Sequence, residues 1–94
     1  MASVFKALAD PTRRRVLILL RDRPLTAGQL ASEFEFSRPT MSAHFTVLRE
    51  AGLVVSEKNG KTVTYSINLS VLEEALLGFT QGLGFELRLS RRTG

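Results

Sequence analysis

A chain of 94 residues is long enough for one domain but not for a second core, and 44% of these residues are hydrophobic. There is no cysteine, which excludes disulfides and thiolate metal sites, and the longest apolar run, Val16–Leu20, is far too short to span a bilayer. The net charge is +4, and ten of the thirteen basic residues are arginine, the side chain that binds phosphate and guanine with two parallel hydrogen bonds.

These numbers favour a small cytoplasmic protein that dimerises, and the basic charge is as consistent with ordinary solubility as with a polyanionic partner. A domain of this size buries only about 60–65% of the surface that its unfolded chain exposes. A monomer would therefore leave much apolar surface in water, and we expect a homodimer. The N-terminus has no charged segment followed by an apolar one, as a secretory signal would. We predict one domain over residues 1–90 and a basic tail over 91–94.

The first two predicted helices meet at a sharp boundary. The segment Ser3–Ala9 suits a short helix, and Asp10-Pro11 begins the next one, because aspartate caps a helix and proline is well tolerated at its first position. We predict that the second helix runs to about Asp22, where Arg23-Pro24 ends it. The residues predicted to face inward from it are Val16, Leu17, Leu19 and Leu20.

Two short helices joined by a tight turn are predicted next. Thr26 and Gln29 suit a capping box at the start of the third helix, in which each side chain bonds the backbone of the other residue. Ser37 suits the N-cap of the fourth helix. Gly52 is expected to end that helix, because glycine adopts the left-handed conformation without strain.

After Gly52 the sequence pattern changes to that of strands and then returns to a helix. Leu53–Glu57 and Thr62–Ile67 are rich in β-branched residues, and Asn59-Gly60 between them is a strong hairpin signal. A capping box of Ser70 and Glu73 is predicted to begin the last helix. Apolar residues recur along this helix at the spacing of a helix-packing seam. We assign the dimer interface to apolar residues of the first and last helices: Phe5, Leu72, Leu76, Phe79 and Leu83.

This order of elements predicts a mainly α-helical fold with a β-hairpin wing, the winged helix-turn-helix, whose fourth helix enters the major groove of DNA. If Met41, Phe45 and Leu48 face the core, small and hydroxyl-bearing residues remain outside. Small side chains let a helix approach base edges, and two lysines at the hairpin tip suit phosphate contact. The predicted DNA-binding residues are Arg38, Pro39, Thr40, Ser42, Ala43, Thr46, Lys58 and Lys61.

Other basic residues are candidates for contact with DNA phosphates. Arg13–Arg15 lie in the first turn of the second helix, where the helix dipole disfavours cations, so an acidic neighbour or a phosphate should compensate. We expect Arg13, on the packed face of the helix, to form an ion pair with Asp10 or Glu50. The candidate phosphate contacts are Arg14, Arg15, His44 and Arg49.

Four segments of the chain occur in a characteristic order: Val4–Arg14, Thr26–Ala31, Ser37–Phe45 and Leu48–Val54. Together they resemble the ArsR/SmtB family of bacterial repressors, and within it the SdpR-like autorepressor group. The resemblance extends from residue 4 to about residue 77. It implies a dimer formed by the first and last helices, an inverted-repeat operator and repression by occlusion of a promoter. By motif position it also implies that Arg38, Pro39, Ser42 and Ala43 contact DNA.

The chain departs from this family where many members bind metal ions. Those members carry a cysteine pair in the third helix, where this chain has Gln29–Glu33, and His44 is the only histidine of the chain. One histidine without cysteine cannot complete a zinc site. We therefore predict no metal and no cofactor, and operator binding that does not depend on metal. An effector or a partner protein that releases the DNA remains an open alternative.

Other classes of function have less support. The sequence has no recognisable pair of catalytic carboxylates and no phosphate-binding glycine loop, so we predict that the protein is not an enzyme. RNA binding usually brings exposed aromatic residues, whereas most aromatic residues here fit inward positions. The strongest alternative is a winged helix that binds another protein. Such a surface would present large apolar side chains where this chain has Ser42, Ala43 and Thr46.

Overall fold

The fold is mainly helical with a three-stranded antiparallel sheet, and a computed structural model describes residues 3–87 of it. The predicted tail at 91–94 lies outside the described residues. The elements in chain order are α1 Val4–Leu8, α2 Pro11–Leu20, β1 Leu25–Thr26, α3 Ala27–Ala31, α4 Arg38–Glu50, β2 Val54–Asn59, β3 Thr62–Ile67 and α5 Leu69–Gly82. This order confirms the predicted winged helix-turn-helix, to which β1 is an unpredicted addition.

The turn between α1 and α2 is held by Asp10, the predicted N-cap of α2. Its carboxylate Oδ1 accepts hydrogen bonds from the backbone amides of Thr12 at 2.7 Å and Arg13 at 3.2 Å. Partial desolvation raises the pKa of Asp10, but these two hydrogen bonds and the electrostatic interactions with His44 and Arg13 together bring it below its ordinary value. The folded state therefore favours the ionised form of Asp10.

Two further caps fix the helix-turn-helix. The Thr26 hydroxyl accepts a hydrogen bond from the amide of Gln29 at 3.0 Å, and the Gln29 side chain accepts one from the amide of Thr26 at 2.9 Å, which confirms the predicted capping box. The Ser37 hydroxyl accepts from the amide of Thr40 at 3.3 Å and caps α4. Gly52, just after α4, has a φ of +78°, which is the predicted left-handed conformation.

The sheet joins the wing to the start of the helix-turn-helix. Its strand order is β1-β3-β2, and both neighbouring pairs are antiparallel. Asn59 pairs with Thr62, so the hairpin loop consists of Gly60 and Lys61, one residue later than the predicted Asn59-Gly60 turn. Gly60 has a φ of +63°, whereas the φ of Lys61 is not positive. This is the pattern of a type II′ turn, which requires glycine at the first loop position.

The core lies between α2, α3, α4 and the sheet. Its largest fully buried side chains are Leu20, Leu30, Met41, Leu48, Leu53, Val16 and Val54. The rings of Phe45 in α4 and Tyr65 in β3 have centroids 4.9 Å apart, so the wing packs directly against α4. Within residues 3–87 no charged side chain is buried. Apolar packing therefore holds these elements together.

The end of α2 differs from the prediction. The helix ends at Leu20 rather than at about Asp22. The amide of Arg21 donates to the carbonyl of Ile18 at 3.2 Å, a bond three residues back that tightens and closes the last turn. The chain then leaves the helix in time to begin β1 at Leu25.

The start of α5 also differs from the prediction. The helix begins at Leu69 with Asn68 at the N-cap position, and the Asn68 side chain makes no capping hydrogen bond, so the predicted capping box of Ser70 and Glu73 is wrong. The amide of Asn68 donates to the carbonyl of Leu53 at 2.8 Å, which fixes where the chain turns into the helix. No helix within residues 3–87 has the length and apolar character needed to cross a membrane.

The Asp10 cap predicts a dependence of stability on pH. Asp10→Ala should lower the free energy of unfolding at neutral pH by about 1 kcal/mol, because the amides of Thr12 and Arg13 lose their acceptor. Asp10→Asn should retain most of that stability, since asparagine caps a helix about as well. Chemical unfolding of the wild type and both variants at neutral pH measures these differences.

The same variants test the sign of the charge effect. The pKa of Asp10 is lowered in the folded state from an ordinary value of 3.8, so its contribution to stability is complete well above that value and is lost as the pH falls through the lower folded pKa. Asp10→Asn does not titrate. The wild type should therefore lose stability relative to Asp10→Asn between about pH 5 and pH 3. A difference between the two that stays constant over this range would contradict the lowered pKa.

Candidate nucleic-acid interface

One stripe of α4 anchors the helix to the core. Met41, Phe45 and Leu48 are 1%, 5% and 0% exposed, which confirms the predicted inward face. Residues spaced four and three apart lie on one side of a helix. The remaining sides of α4 therefore point away from the core.

The outward sides of α4 carry the predicted DNA-binding residues. All six of them are exposed: Arg38, Pro39, Thr40, Ser42, Ala43 and Thr46. The guanidinium of Arg38 has no hydrogen-bond or ionic partner among the described residues, so its donors are available to a ligand. The hydroxyl of Thr40 lies 2.9 Å from that of Ser37, so Thr40 also takes part in the cap of α4.

The wing brings two lysines to its end. Lys58 lies near the end of β2, opposite Val63 of β3, and Lys61 is the second residue of the hairpin loop. Both side chains are exposed. An exposed cationic tip on a protruding ribbon is the arrangement that suits contact with a phosphate backbone beside a groove.

The basic residues at the start of α2 bind the end of α1. Nε of Arg13 donates to the carbonyl of Ala7 at 2.7 Å, and its Nη2 donates to the carbonyl of Lys6 at 3.0 Å. Nη1 of Arg14 donates to the carbonyl of Leu8 at 2.7 Å. The last carbonyls of a helix are unpaired and partly negative. They supply the compensation that we expected from an acidic partner of Arg13, so the predicted ion pair is replaced by hydrogen bonds to backbone.

His44 connects α4 to this junction, a contact that the sequence did not predict. The side chain is half-buried, and its Nδ1 lies 3.4 Å from Nη1 of Arg13. Because a guanidinium only donates, a hydrogen bond here requires Nδ1 of His44 to be unprotonated. The ring of Phe36 lies edge-on to that of His44 with centroids 6.4 Å apart. Within residues 3–87 no group of three metal-ligating side chains lies close enough to hold an ion.

The remaining candidate phosphate contacts, Arg15 and Arg49, are both exposed. Arg15 lies in the second turn of α2, and Arg49 lies in the last turn of α4. A cation in the last turn also interacts favourably with the helix dipole. The position of Arg49 is therefore explained equally well by its interaction with the helix dipole and by contact with a DNA phosphate.

The predicted dimer residues lie along α1 and α5, except that Leu83 is the C-cap residue just after α5. The rings of Phe5 and Phe79 pack with centroids 5.0 Å apart, and each of these side chains remains about half exposed. Leu83 is 57% exposed, whereas Leu76 is half-buried. Leu72 is half-buried and packs against the core of its own protomer.

Comparison with known proteins identifies the family. Residues 8–57, more than half of the chain, match a family model described as a helix-turn-helix domain. The chain is 40% identical over 76 residues to the transcriptional repressor SdpR of Bacillus subtilis, a match that covers 81% of this chain and 84% of that protein. The chain belongs to the ArsR/SmtB family. A second relative, the HTH-type transcriptional regulator CmtR of Mycobacterium tuberculosis, is 42% identical over 76 residues, with 81% of this chain and 64% of that protein covered.

Solved structures of similar proteins share the architecture. A crystal structure of an ArsR family transcriptional regulator aligns with a TM-score of 0.75 at 36% identity, covering 85% of this chain and 84% of that one. HlyU of Vibrio cholerae aligns with a TM-score of 0.68 at 34% identity, covering 81% and 86%. This ArsR-family chain is therefore a DNA-binding transcriptional regulator with a winged helix-turn-helix, and its family consists of regulators rather than enzymes.

The Arg13 contacts predict a specific loss of stability. Arg13→Lys keeps the charge but has no planar fork, so it cannot hold two carbonyls of α1 and His44 together. We expect the free energy of unfolding to fall by about 1–2 kcal/mol, the value of one or two partly buried hydrogen bonds. Arg15→Lys is the matched control, since the Arg15 side chain makes no hydrogen bond within residues 3–87. Equal stability of the two variants in urea unfolding would rule out this role for Arg13.

Proposed function

We propose that this ArsR-family protein acts in the cytoplasm as a dimeric repressor, which binds an inverted-repeat operator and blocks access to a promoter. The observation that carries the proposal is the outward side of α4, which is exposed, small and hydroxyl-bearing, with Arg38 in its first turn. The name of the relative SdpR, a transcriptional repressor, supports the direction of regulation.

In this proposal α4 of each protomer lies in the major groove. Arg38 donates two hydrogen bonds to O6 and N7 of a guanine. The hydroxyls of Ser42 and Thr46 bond base edges or phosphates. Pro39 and Ala43 have no long side chain and let the helix approach the bases closely. Large apolar anchors of the kind that bind a protein partner do not occur on this side of α4.

Contacts with the phosphate backbone orient the protein on the duplex. The two wing lysines reach phosphates beside the groove, and arginines of α2 and α4 reach them at its edges. Arg14 has already used one donor on the carbonyl of Leu8, so its remaining donors face the DNA in this proposal. The phosphate contacts that we propose are Lys58, Lys61, Arg14, Arg15, His44 and Arg49.

The proposed dimer covers the apolar surface of α1 and α5. No residue of α5 is buried within the protomer, and Phe79 is 52% exposed. Phe5 packs on Phe79, so the two helices present one continuous apolar surface. A second copy would remove this surface from water by the symmetric association that most small oligomers use. Because the chain has one histidine and no cysteine, we also propose that operator binding needs no metal ion.

The proposed dimer predicts that Phe79→Asp disrupts self-association and operator binding together. A charge in the interface must lose its hydration, and a single protomer binds only one half-site. We expect a monomer in sedimentation velocity and an operator affinity lower by about 10²-fold or more. Gln81→Asp is the matched control, because Gln81 is exposed and lies on the opposite side of α5. A Phe79→Asp monomer that retains wild-type affinity would refute the proposed dimer.

The roles of α4 and the wing can be separated by two alanine variants. Arg38→Ala should cost about 1–3 kcal/mol per half-site and relax the preference at one symmetric base position. Lys61→Ala should weaken binding to all sequences alike. It should also reduce the slope of log K against log salt concentration by about one for each lost phosphate contact. Titration of both variants against a selected operator and a scrambled duplex, at several salt concentrations, distinguishes these effects.

The controls in this titration test the competing functions. If neither variant changes binding, α4 is not in the groove, and a surface that binds another protein becomes the better explanation. If Arg38→Ala weakens both duplexes equally while Lys61→Ala reduces discrimination, the two roles are reversed.

Wild-type affinity should be the same with micromolar zinc and with a chelator. A loss of affinity on adding zinc that the chelator reverses would refute metal-independent binding.

A further inference from the structure

A small notch lies between α3 and the start of the recognition helix α4. Its volume is about 60 Å³. Six residues line it: Ala27, Ala31, Arg38, Met41, Ser42 and Phe45. Two of these, Arg38 and Ser42, belong to the exposed side of α4 that we propose to enter the major groove. The notch is therefore continuous with the DNA-binding surface.

Four of the six residues that line the notch are apolar, and two, Arg38 and Ser42, are polar. Met41 and Phe45 are almost fully buried, and Ala27 and Ala31 are half-buried methyl groups of α3. The polar groups are the guanidinium of Arg38, which only donates hydrogen bonds, and the hydroxyl of Ser42. Within residues 3–87 neither of these side chains has a hydrogen-bond partner. The notch thus suits a group that is apolar at its tip and carries a hydrogen-bond acceptor beside it.

One base of DNA presents this combination in the major groove. Thymine carries the C5 methyl group next to the O4 acceptor. Cytosine presents an N4 amino donor at the same place, and Arg38 cannot form a hydrogen bond with it because a guanidinium has no acceptor. Alanine side chains are among those that contact the thymine methyl in protein–DNA complexes. A methyl group is about the size of a water molecule, whose share of liquid volume is about 30 Å³. The notch therefore has room for one methyl group.

We propose that the notch receives the C5 methyl group of a thymine in each half-site, so that Ala27 and Ala31 of α3 help to determine operator specificity. This inference rests on the proposed function, in which α4 lies in the major groove. Because Arg38 lines the notch and also bonds guanine, the thymine lies within one base step of that guanine. Discrimination at this position depends on the packing of a methyl group, whereas discrimination at the guanine depends on hydrogen bonds.

The test leaves the protein unaltered and removes the methyl group from the DNA. An operator is selected from random duplexes with the wild-type protein, and each thymine of the half-site is replaced by uracil in symmetric pairs. Replacement of one symmetric pair of thymines, next to a guanine, should lower the affinity. Each lost methyl group should cost about fourfold, the value of one buried CH₂, so the two half-sites together should cost about fifteenfold. The other pairs should change affinity by less than twofold. At the sensitive position, 5-methylcytosine should bind more tightly than cytosine.

A pair of protein variants assigns the effect to the notch. Ala31→Val fills part of the notch and should abolish the preference for thymine over uracil. Gly28→Ala is the matched control: it also adds a methyl group to α3, but Gly28 does not line the notch, and the added Cβ meets only the Thr26 hydroxyl at 3.9 Å. This control should keep the full preference. If Ala31→Val fails to fold, as judged by circular dichroism, the uracil scan of the wild-type protein still decides the proposal.

The outcomes separate this inference from the proposed function. If operator and scrambled duplexes bind equally, the proposed function fails and the inference fails with it. If the operator is preferred but no uracil pair lowers affinity, the inference alone is overturned. It is also overturned if methylphosphonate substitution of a phosphate near Arg38 weakens binding while uracil does not, because the notch then faces the backbone. A uracil effect that persists in Ala31→Val would assign the methyl contact to another part of the protein and would likewise overturn it.

Discussion

Burial of Met41, Phe45 and Leu48 fixes the rotation of α4 about its own axis, and the functional surface depends on that rotation. The three side chains enter a core built from α2, α3 and the sheet, and Phe45 also packs its ring on Tyr65 of the wing. A rotation of 100°, one residue of helix, would bring hydroxyls into an apolar core at a cost of several kcal/mol. The same packing therefore holds Arg38 and Ser42 outside and sets the position of the wing relative to them.

The arginines at the start of α2 are unfavourable for α2 alone but become favourable where α1 meets α2. Arginines at the start of α2 oppose the dipole of that helix. The carbonyl end of α1 lies against them, and Arg13 and Arg14 donate hydrogen bonds to the carbonyls of Lys6, Ala7 and Leu8 there. Through its third contact, Arg13 also reaches His44 on α4. A helix that we assign to the dimer interface is thereby linked to the recognition helix by one side chain.

Features determined by neighbouring residues could be predicted from the sequence, and features determined by distant ones could not. The Thr26–Gln29 capping box and the left-handed Gly52 depend on residues at most three apart, and both were predicted. The strand β1 depends on β3, some forty residues away in the chain, and the Arg13–His44 contact spans 31 positions; neither has a local signal. At α5 a long-range bond from Asn68 to Leu53 overrides the local preference for a cap at Ser70. The side of α4 that points outward was predictable because its periodicity is local, although the notch beside it is not.

A recognition helix with small outward side chains has a consequence for assembly. In the proposed complex, the residues of each protomer that face the bases are Arg38, a few hydroxyls and the notch. A single half-site would then discriminate only by a few penalties of about 1–3 kcal/mol for each wrong base pair. Two half-sites read by a symmetric dimer add these free energies, so the discrimination factor is squared. The apolar surface of α1 and α5 would be a liability on a monomer. In the dimer that we propose, the same surface would join two half-sites, and weak recognition of each half-site would suffice for a specific operator.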